Sequence, residues 1–365
     1  MKELRLHVPA HIADLVPYPP GKPLEELERE YGITGAVKLA SNENPLGPSP
    51  KAVAAVREAA ANLHRYPDGS GYYLKHRLAE RLGVDLAGIV LGNGSNELID
   101  LLVRVFVAPG DEVASSDPAF LVYRKMVQAA AGRNVLVPLR GHRHDLPAMA
   151  RRVTDRTRLV FLDNPHNPTG SILARPDFEA FLADLPETVL VVLDEAYAEF
   201  VRGETPRALD YLGRDRRVVG LRTFSKAHGL AGLRVGYGVM DPEVAGYLER
   251  VRQPFNVNAA AQAGALAALD DEAHLRRTLE VTWSGMDRLR EGLSALGCRV
   301  LESHTNFLMA DMGRDAGEVY EAVLRRGVIL RSMAAYGYPT WIRITVGRPE
   351  ENERCLAALA EVLTG

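Results

Sequence analysis

The sequence predicts an α/β protein of two domains: a large one built on a mostly parallel sheet, and a smaller α+β one. Three observations carry this expectation. The middle of the chain alternates short apolar runs with amphipathic helical stretches, the rhythm of strands joined by crossover helices. After about Pro254 the texture changes to long helices and then to a second set of short strands. At 365 residues the chain exceeds what one small core needs and suits two domains.

In chain order, the first forty residues carry Pro9, Pro17, Pro19, Pro20 and Pro23 and read as an arm with one short helix near Leu24–Tyr31. Ile89–Leu91 reads as a strand, followed by Gly92, Asn93 and Gly94 and a helix through Leu98, Leu101, Leu102 and Val105. Glu112–Ser115 is a second strand, with a helix from about Ala119 to Ala131. Leu159–Leu162, Val189–Leu193 and Val218–Leu221 are further apolar runs of strand length, and Val235–Met240 is another, interrupted by Gly236 and Gly238. Helices follow at Ala259–Leu269 and Glu272–Leu296. Strands are expected at Arg299–Leu301, Phe307–Ala310, Val328–Leu330 and Ile342–Val346, and an amphipathic helix at Glu350–Leu363. The expected division is 1–40 for the arm and part of the small domain, 41–258 for the large domain and 259–365 for the small one.

Composition excludes several classes. With 47% hydrophobic and 25% charged residues and a net charge of −3, the chain has no basic bias toward nucleic acid. Met1–Asp14 has no signal-peptide core, and Phe255–Leu269 is too short to span a bilayer, so no membrane partner is expected. Cys298 and Cys355 form no disulfide framework or zinc motif, which points to a reducing, cytoplasmic setting. His142 and His144, in Gly-His-Arg-His-Asp, are read as an exposed loop, and no metal is expected. The basic residues are mostly arginine: the lysines number seven, and Lys226 is the only one after Met126. A lysine can lose its proton and act as a nucleophile where an arginine cannot.

Polar residues gather where the strands end, which is where open α/β sheets bind ligands. After Leu162 comes Asp163-Asn164-Pro165-His166-Asn167-Pro168-Thr169-Gly170. Leu193 is followed by Asp194-Glu195-Ala196-Tyr197, and Leu221 by Arg222-Thr223-Phe224-Ser225-Lys226. Each has a local reading as well: Asn167 as a turn residue, Asp194 as a helix cap, Ser225 and Arg234 as surface residues. Their order suggests more. A carboxylate ending one strand, a Ser-Lys pair ending the next and Arg234 eight residues on together suit a phosphorylated pyridine aldehyde. The lysine would form the imine, the carboxylate would hold the ring nitrogen, and serine and arginine would bind the phosphate. Gly94-Ser95-Asn96 opens a helix whose N–H groups suit the same phosphate. Glu97 stands where a dinucleotide fingerprint needs its third glycine, so a nicotinamide dehydrogenase is not indicated.

At these residues the chain resembles the fold-type I aminotransferases that use pyridoxal phosphate (PLP), and most closely the histidinol-phosphate aminotransferase family. The segments Lys38–Pro48, Arg65–Asp68, Asn164–Gly170, Asp194–Tyr197, Ser225-Lys226 and Arg343–Gly347 carry the likeness, with Glu350-Glu351-Asn352 close behind. The resemblance implies a seven-stranded, mostly parallel sheet in the large domain. It also implies that Lys226 carries PLP as an imine, with Asp194 on the pyridine nitrogen and Asn167 and Tyr197 on the ring hydroxyl. Ser95, Asn96, Ser225 and Arg234 would bind the phosphate, and Tyr66 would reach it from the neighbouring subunit of a homodimer. Phe120 would stack on the ring where the family usually has tyrosine.

For substrates, the resemblance implies a small-molecule amino donor and a 2-oxo acid, in a ping-pong exchange between histidinol phosphate and 2-oxoglutarate. Arg343, Arg331 and Tyr18 would hold the donor's phosphate; Arg331 also reads as a solvated charge at a strand end. An aromatic amino-acid aminotransferase is the nearest rival, and a threonine-phosphate decarboxylase the next. A non-catalytic regulator of this fold would need a DNA-binding domain, for which motifs beginning by Tyr18 leave no room. His228 has no assigned role, and Trp283 and Trp341 are read as packing residues.

Overall fold

The computed structural model describes residues 6–17 and 24–365. Seven strands form the main sheet: β2 (Ile89–Gly92), β3 (Glu112–Asp117), β4 (Arg133–Pro138), β5 (Thr157–Asp163), β6 (Leu190–Asp194), β7 (Val218–Thr223) and β8 (Gly236–Val239). Numbering starts with β1 (Val37–Lys38), which belongs to the C-terminal part described below. Spatial order is β2-β8-β7-β6-β5-β3-β4. Only β8 runs against its neighbours; the other four pairings are parallel. The carboxyl ends of β2, β5, β6 and β7 therefore share one edge of the sheet, and the start of β8 meets them there.

The sheet is covered on both faces, and its sequence shows why. Strands buried on both sides read as continuous apolar runs, with successive side chains serving opposite cores. Val160, Leu162, Val191 and Leu193 pack into one core, while Leu159, Phe161, Val192 and Leu221 pack into the other. β4 was not expected from the sequence; its Val135-Leu136-Val137 run lies on the sheet's edge and is only partly buried. The helix expected from Ala119 spans Val122–Ala129, so Phe120 sits in the turn ahead of it.

The C-terminal part has a four-stranded antiparallel sheet in the order β12 (Arg331–Ser332), β13 (Trp341–Thr345), β10 (Phe307–Asp311) and β9 (Arg299–Val300). Beside it, β1 pairs in parallel with β11 (Val328–Ile329), which ties the N-terminal segment to this unit. Ile342 and Ile344 of β13 enter a core with Leu308, Leu289 and Leu356. The alternate residues Arg343 and Thr345 therefore face the other way, toward the main sheet. The helix Ala259–Leu269 lies beyond the expected boundary at 259, yet buries Ala261, Ala265 and Leu269 in a core of the main sheet. Among the described residues no helix is long and apolar enough to cross a membrane.

A buried ion pair braces the sheet beneath its ligand-binding edge. Arg222 donates to Glu195 at 2.8 Å, and the other Glu195 oxygen accepts the Ala208 N–H at 2.7 Å. Glu195 is 1% exposed, so removing it leaves the Arg222 guanidinium, as counter-charge, only the longer contact with Glu199 at 3.9 Å. Glu195→Ala is expected to cost about 3–5 kcal/mol of stability, read as a lowered midpoint of urea unfolding; an unchanged midpoint would refute the bracing role.

Candidate active site

The polar strand ends converge on a cleft of about 520 Å³ lined by Ser95, Asn96, Phe120, Asn167, Asp194, Tyr197, Ser225, Lys226 and Arg234. These nine expected residues are brought together by the shared strand direction. Asp163 and Asp194 end adjacent parallel strands in register, side by side. Ser225 and Lys226 follow β7, and Arg234 immediately precedes β8, so the antiparallel strand delivers its arginine to the same edge.

At one end of the cleft lies a cradle suited to a phosphate. Gly94, at φ +74°, opens the helix Ser95–Phe106 and directs its first N–H groups into the cleft. Arg234 reaches over it and donates to Ser225 Oγ at 3.4 Å, while Thr223 Oγ1 donates to the same oxygen at 2.9 Å. A Cβ on Gly94 would lie 2.5 Å from the Arg234 guanidinium, and one on Gly236 would lie 2.7 Å from the Ser95 nitrogen. Gly236, one of the two glycines that interrupt the expected β8, is thus what lets strand and helix terminus approach each other. Glu97, in place of a third glycine, accepts from Asn93 N–H and Asn256 Nδ2, each at 2.6 Å, and pins the loop.

Asp194 forms the other end. It is 4% exposed. Its Oδ2 accepts from Tyr123 at 2.8 Å and its Oδ1 from Ala196 N–H at 3.2 Å. Burial pushes its pKa up to about 7, opposed by the Tyr123 hydrogen bond and reinforced by Asp163. A cationic ring N–H is the partner that would offset the burial of this carboxylate. Tyr123 was not singled out as a site residue. It lies one helical turn beyond Phe120, with its ring edge-on to Phe120 at 5.6 Å and stacked on Phe161 at 4.7 Å. That spacing of three was the available signal.

Lys226 lies between the two ends, its amine donating to Ser41 O at 3.3 Å. Burial first, and then the Arg343 charge, lower its pKa to about 8. Arg343 donates to Asn167 Oδ1 at 2.7 Å and to Ala40 O at 3.0 Å. Because arginine only donates, Asn167 Oδ1 must face it, and the Asn167 NH₂ is left to face the cleft. Tyr197 accepts from Asn42 Nδ2 at 2.8 Å. Arg331 stands directly opposite Arg343 on β12, so the two guanidinium side chains share a sheet face. A cradle of N–H donors, a carboxylate, two ring-facing donors, an aromatic roof at Phe120 and a nucleophilic amine together fit PLP.

Of the expected residues that are described, Tyr66, Arg331 and Arg343 are not among those lining this cleft. Tyr66 is 83% exposed and stacks on Phe255 at 4.8 Å. Tyr18 lies outside the described residues. The reading of His144 as part of an exposed loop is corrected: its side chain is 2% exposed, against 4% for Asp163 beside it. It forms a cluster with Asp163 and His166 whose ligand atoms lie within 4.8 Å of one another. Hydrogen bonding accounts for these imidazoles. His144 Nε2 faces Asp163 O at 3.0 Å and His166 Nε2 faces Pro118 O at 3.1 Å, so both nitrogens carry protons toward carbonyls. Burial lowers their pKa values to about 4 and about 3, so both rings are neutral at pH 7.

The lowered pKa of Lys226 has a direct consequence. In cofactor-free protein the amine is fully protonated below about pH 7 and becomes nucleophilic as pH rises through about 8, rather than through 10.5. Acylation of Lys226, followed by peptide mass spectrometry across pH, should show a midpoint near 8. A midpoint near 10.5 would mean that burial does not activate it.

Comparison with known proteins identifies the family. The sequence profile of aminotransferase class I and II matches residues 34–359. A histidinol-phosphate aminotransferase of Desulfotalea psychrophila is 49% identical over 99% of this chain and 96% of its own length. Histidinol-phosphate aminotransferase 2 of Pseudomonas aeruginosa is 52% identical over 96% of both chains. The crystal structure of the Sinorhizobium meliloti histidinol-phosphate aminotransferase in complex with pyridoxal-5′-phosphate has a TM-score of 0.88 at 33% identity, covering 97% of each chain. On a profile match over most of its length and relatives about half identical to it, the chain belongs to the class I and II aminotransferases.

Proposed function

We propose that this chain is a PLP-dependent histidinol-phosphate aminotransferase that passes the substrate's amino group to 2-oxoglutarate by a ping-pong route. It works as a cytoplasmic homodimer. The observation that carries the substrate assignment is identity of about half, over nearly the whole length, to relatives bearing that name. The facing arginines of β12 and β13 support it, since they offer two guanidinium groups to one anion.

PLP, when bound, supplies the electron sink for the electrons of the broken Cα–H bond. Lys226 would hold the cofactor and, as a free amine, would move the proton at the substrate Cα. Its lowered pKa leaves a useful fraction of free base near neutrality. Asp194 holds the proton on the ring nitrogen, and Tyr123 keeps that carboxylate aimed. Asn167 and Tyr197 donate to the ring hydroxyl. Ser95, Asn96, Ser225 and Arg234 hold the cofactor's phosphate, and Phe120 covers the ring.

Arg343 and Arg331, with Tyr18 from the arm, would grip the substrate phosphate and, in the second half-reaction, a carboxylate. Dimer formation is supported by Tyr66 at 83%, Tyr73 at 73%, Leu63 at 61% and Tyr72 at 54% exposed, an apolar surface around the residue assigned to the partner's phosphate site.

Half-reactions of the purified enzyme with histidinol phosphate, phenylalanine, glutamate and threonine phosphate test the assignment by the loss of cofactor absorption. Histidinol phosphate should react fastest, with glutamate also reacting; a preference for phenylalanine would make this an aromatic transaminase. Arg331→Ala should raise the half-saturation for histidinol phosphate about 10- to 100-fold, the loss of a charged hydrogen bond. Its effect on phenylalanine should be small, and equal effects on both would remove Arg331 from the phosphate site. Mixing Tyr66→Ala and Lys226→Ala chains should restore activity in hybrid dimers, which keep one complete site; no restoration would place Tyr66 outside the partner's cleft.

A further inference from the structure

Tyr197 can serve the cofactor's ring hydroxyl only if its own proton points into the cleft, and the structure contains a device that decides this. A phenol both donates one hydrogen bond and accepts others. If a neighbour donates to the phenol oxygen, its proton is free to point elsewhere; if a neighbour accepts, the proton is spent on that neighbour.

The neighbour is Asn42, 2% exposed, whose Nδ2 lies 2.8 Å from the Tyr197 oxygen. An amide can present either end, so what fixes it matters. Asn42 Oδ1 lies 3.1 Å from Thr345 Oγ1, and the Asn42 backbone N–H donates to that same Oγ1 at 2.9 Å. With its lone pairs already receiving the backbone N–H, the Thr345 hydroxyl has its proton to place, and Asn42 Oδ1 takes it. The opposite end of the amide, the NH₂, is thereby turned to Tyr197. Asn42 holds this pose at φ +55°, a left-handed conformation that asparagine tolerates.

We propose that Asn42 is a positioning residue: oriented by Thr345, it donates to Tyr197 and so directs the Tyr197 proton into the cleft, toward the cofactor's ring oxygen. No role in the preceding account falls to Asn42. The inference rests on the cofactor half of the proposed function and not on the identity of the substrate. Tyr197 stays protonated throughout, since burial pushes its pKa up to about 12 against the pull of Arg343 and Asn42.

The consequence is a proton affinity. A donor to the ring oxygen draws off negative charge that would otherwise stabilise the proton on the Lys226 nitrogen when it carries the cofactor. Turning the Tyr197 proton away should therefore raise that affinity and move the pH midpoint of the bound cofactor's visible absorption upward. The other charges facing Lys226 are Arg343 from β13, Arg234 ahead of β8, Asp194 from β6 and Glu43 from the N-terminal segment, with Asp163 of β5 behind Asp194. The variants below leave all of these in place.

The test is a spectroscopic pH titration of the holoenzyme without substrate. Asn42→Asp keeps the shape and the left-handed backbone but turns the donor into an acceptor, which would claim the Tyr197 proton. Its midpoint should rise by about one pH unit. Asn42→Gly, which suits the same backbone, removes the donor without adding charge and should shift the midpoint in the same direction by less. In a Tyr197→Phe background the Asn42→Gly shift should vanish, because no hydroxyl remains to be turned. A shift that persists undiminished there, or an Asn42→Gly midpoint equal to the wild type, would overturn the role. A wild-type holoenzyme with no visible band at all would instead sink the cofactor reading on which the inference depends.

Discussion

The candidate site is organised around one carboxylate, Asp194, which is buried at the floor of the cleft. A buried carboxylate left alone takes up a proton, and here both burial and the neighbouring Asp163 push in that direction. The structure opposes them with the Tyr123 hydroxyl and the Ala196 N–H, and reserves the remaining stabilisation for a cation in the cleft. Neutral His144 and His166 surround Asp163 without adding positive charge. A protonated ring nitrogen would meet that demand, and protonation is the condition under which such a ring accepts electrons. Binding and chemistry are thus the same electrostatic requirement seen from two sides.

How much of this was legible in the sequence follows from the range of the interactions. The ends of β5, β6 and β7 were readable because continuous apolar runs stop abruptly at Asp163, Asp194 and Arg222. Lys226 stood out because arginine does the surface work in the rest of that region. The family likeness then placed Asn167, Tyr197, Ser95 and Arg234, each of which lines the cleft. Less legible were features whose meaning lies across space. Gly236 and Gly238 weakened the strand signal, although Gly236 is required by the close approach of Ser95. β4 escaped notice because an edge strand is buried on fewer sides and needs fewer apolar residues. His144 looked like a loop residue because nothing local announces that Ser116, 28 positions earlier, and Asp163 will enclose it.

The residues missed altogether share one property: they touch other residues of the site and not the expected cofactor contacts. Tyr123 holds Asp194, Asn42 holds Tyr197, and Thr223 holds Ser225. A motif names groups that meet a ligand. Groups that aim those groups can come from anywhere the fold allows, as the 155-residue separation of Asn42 and Tyr197 shows. Only Tyr123 had a local clue, its position one turn beyond Phe120.

β13 draws these strands of evidence together. Its period of two sends Ile342 and Ile344 into the small core and Arg343 and Thr345 toward the cleft. Arg343 fixes the amide of Asn167, and Thr345 fixes the amide of Asn42, which in turn bears on Tyr197. Both donors proposed for the ring oxygen are therefore set from one short strand of the C-terminal unit, while the residues proposed for the ring nitrogen and phosphate come from the main sheet. An anion gripping Arg343 would compete with Asn167 for the same guanidinium. If Arg343 holds the substrate's anion as proposed, binding at β13 would be felt at the Asn167 amide through that one shared guanidinium.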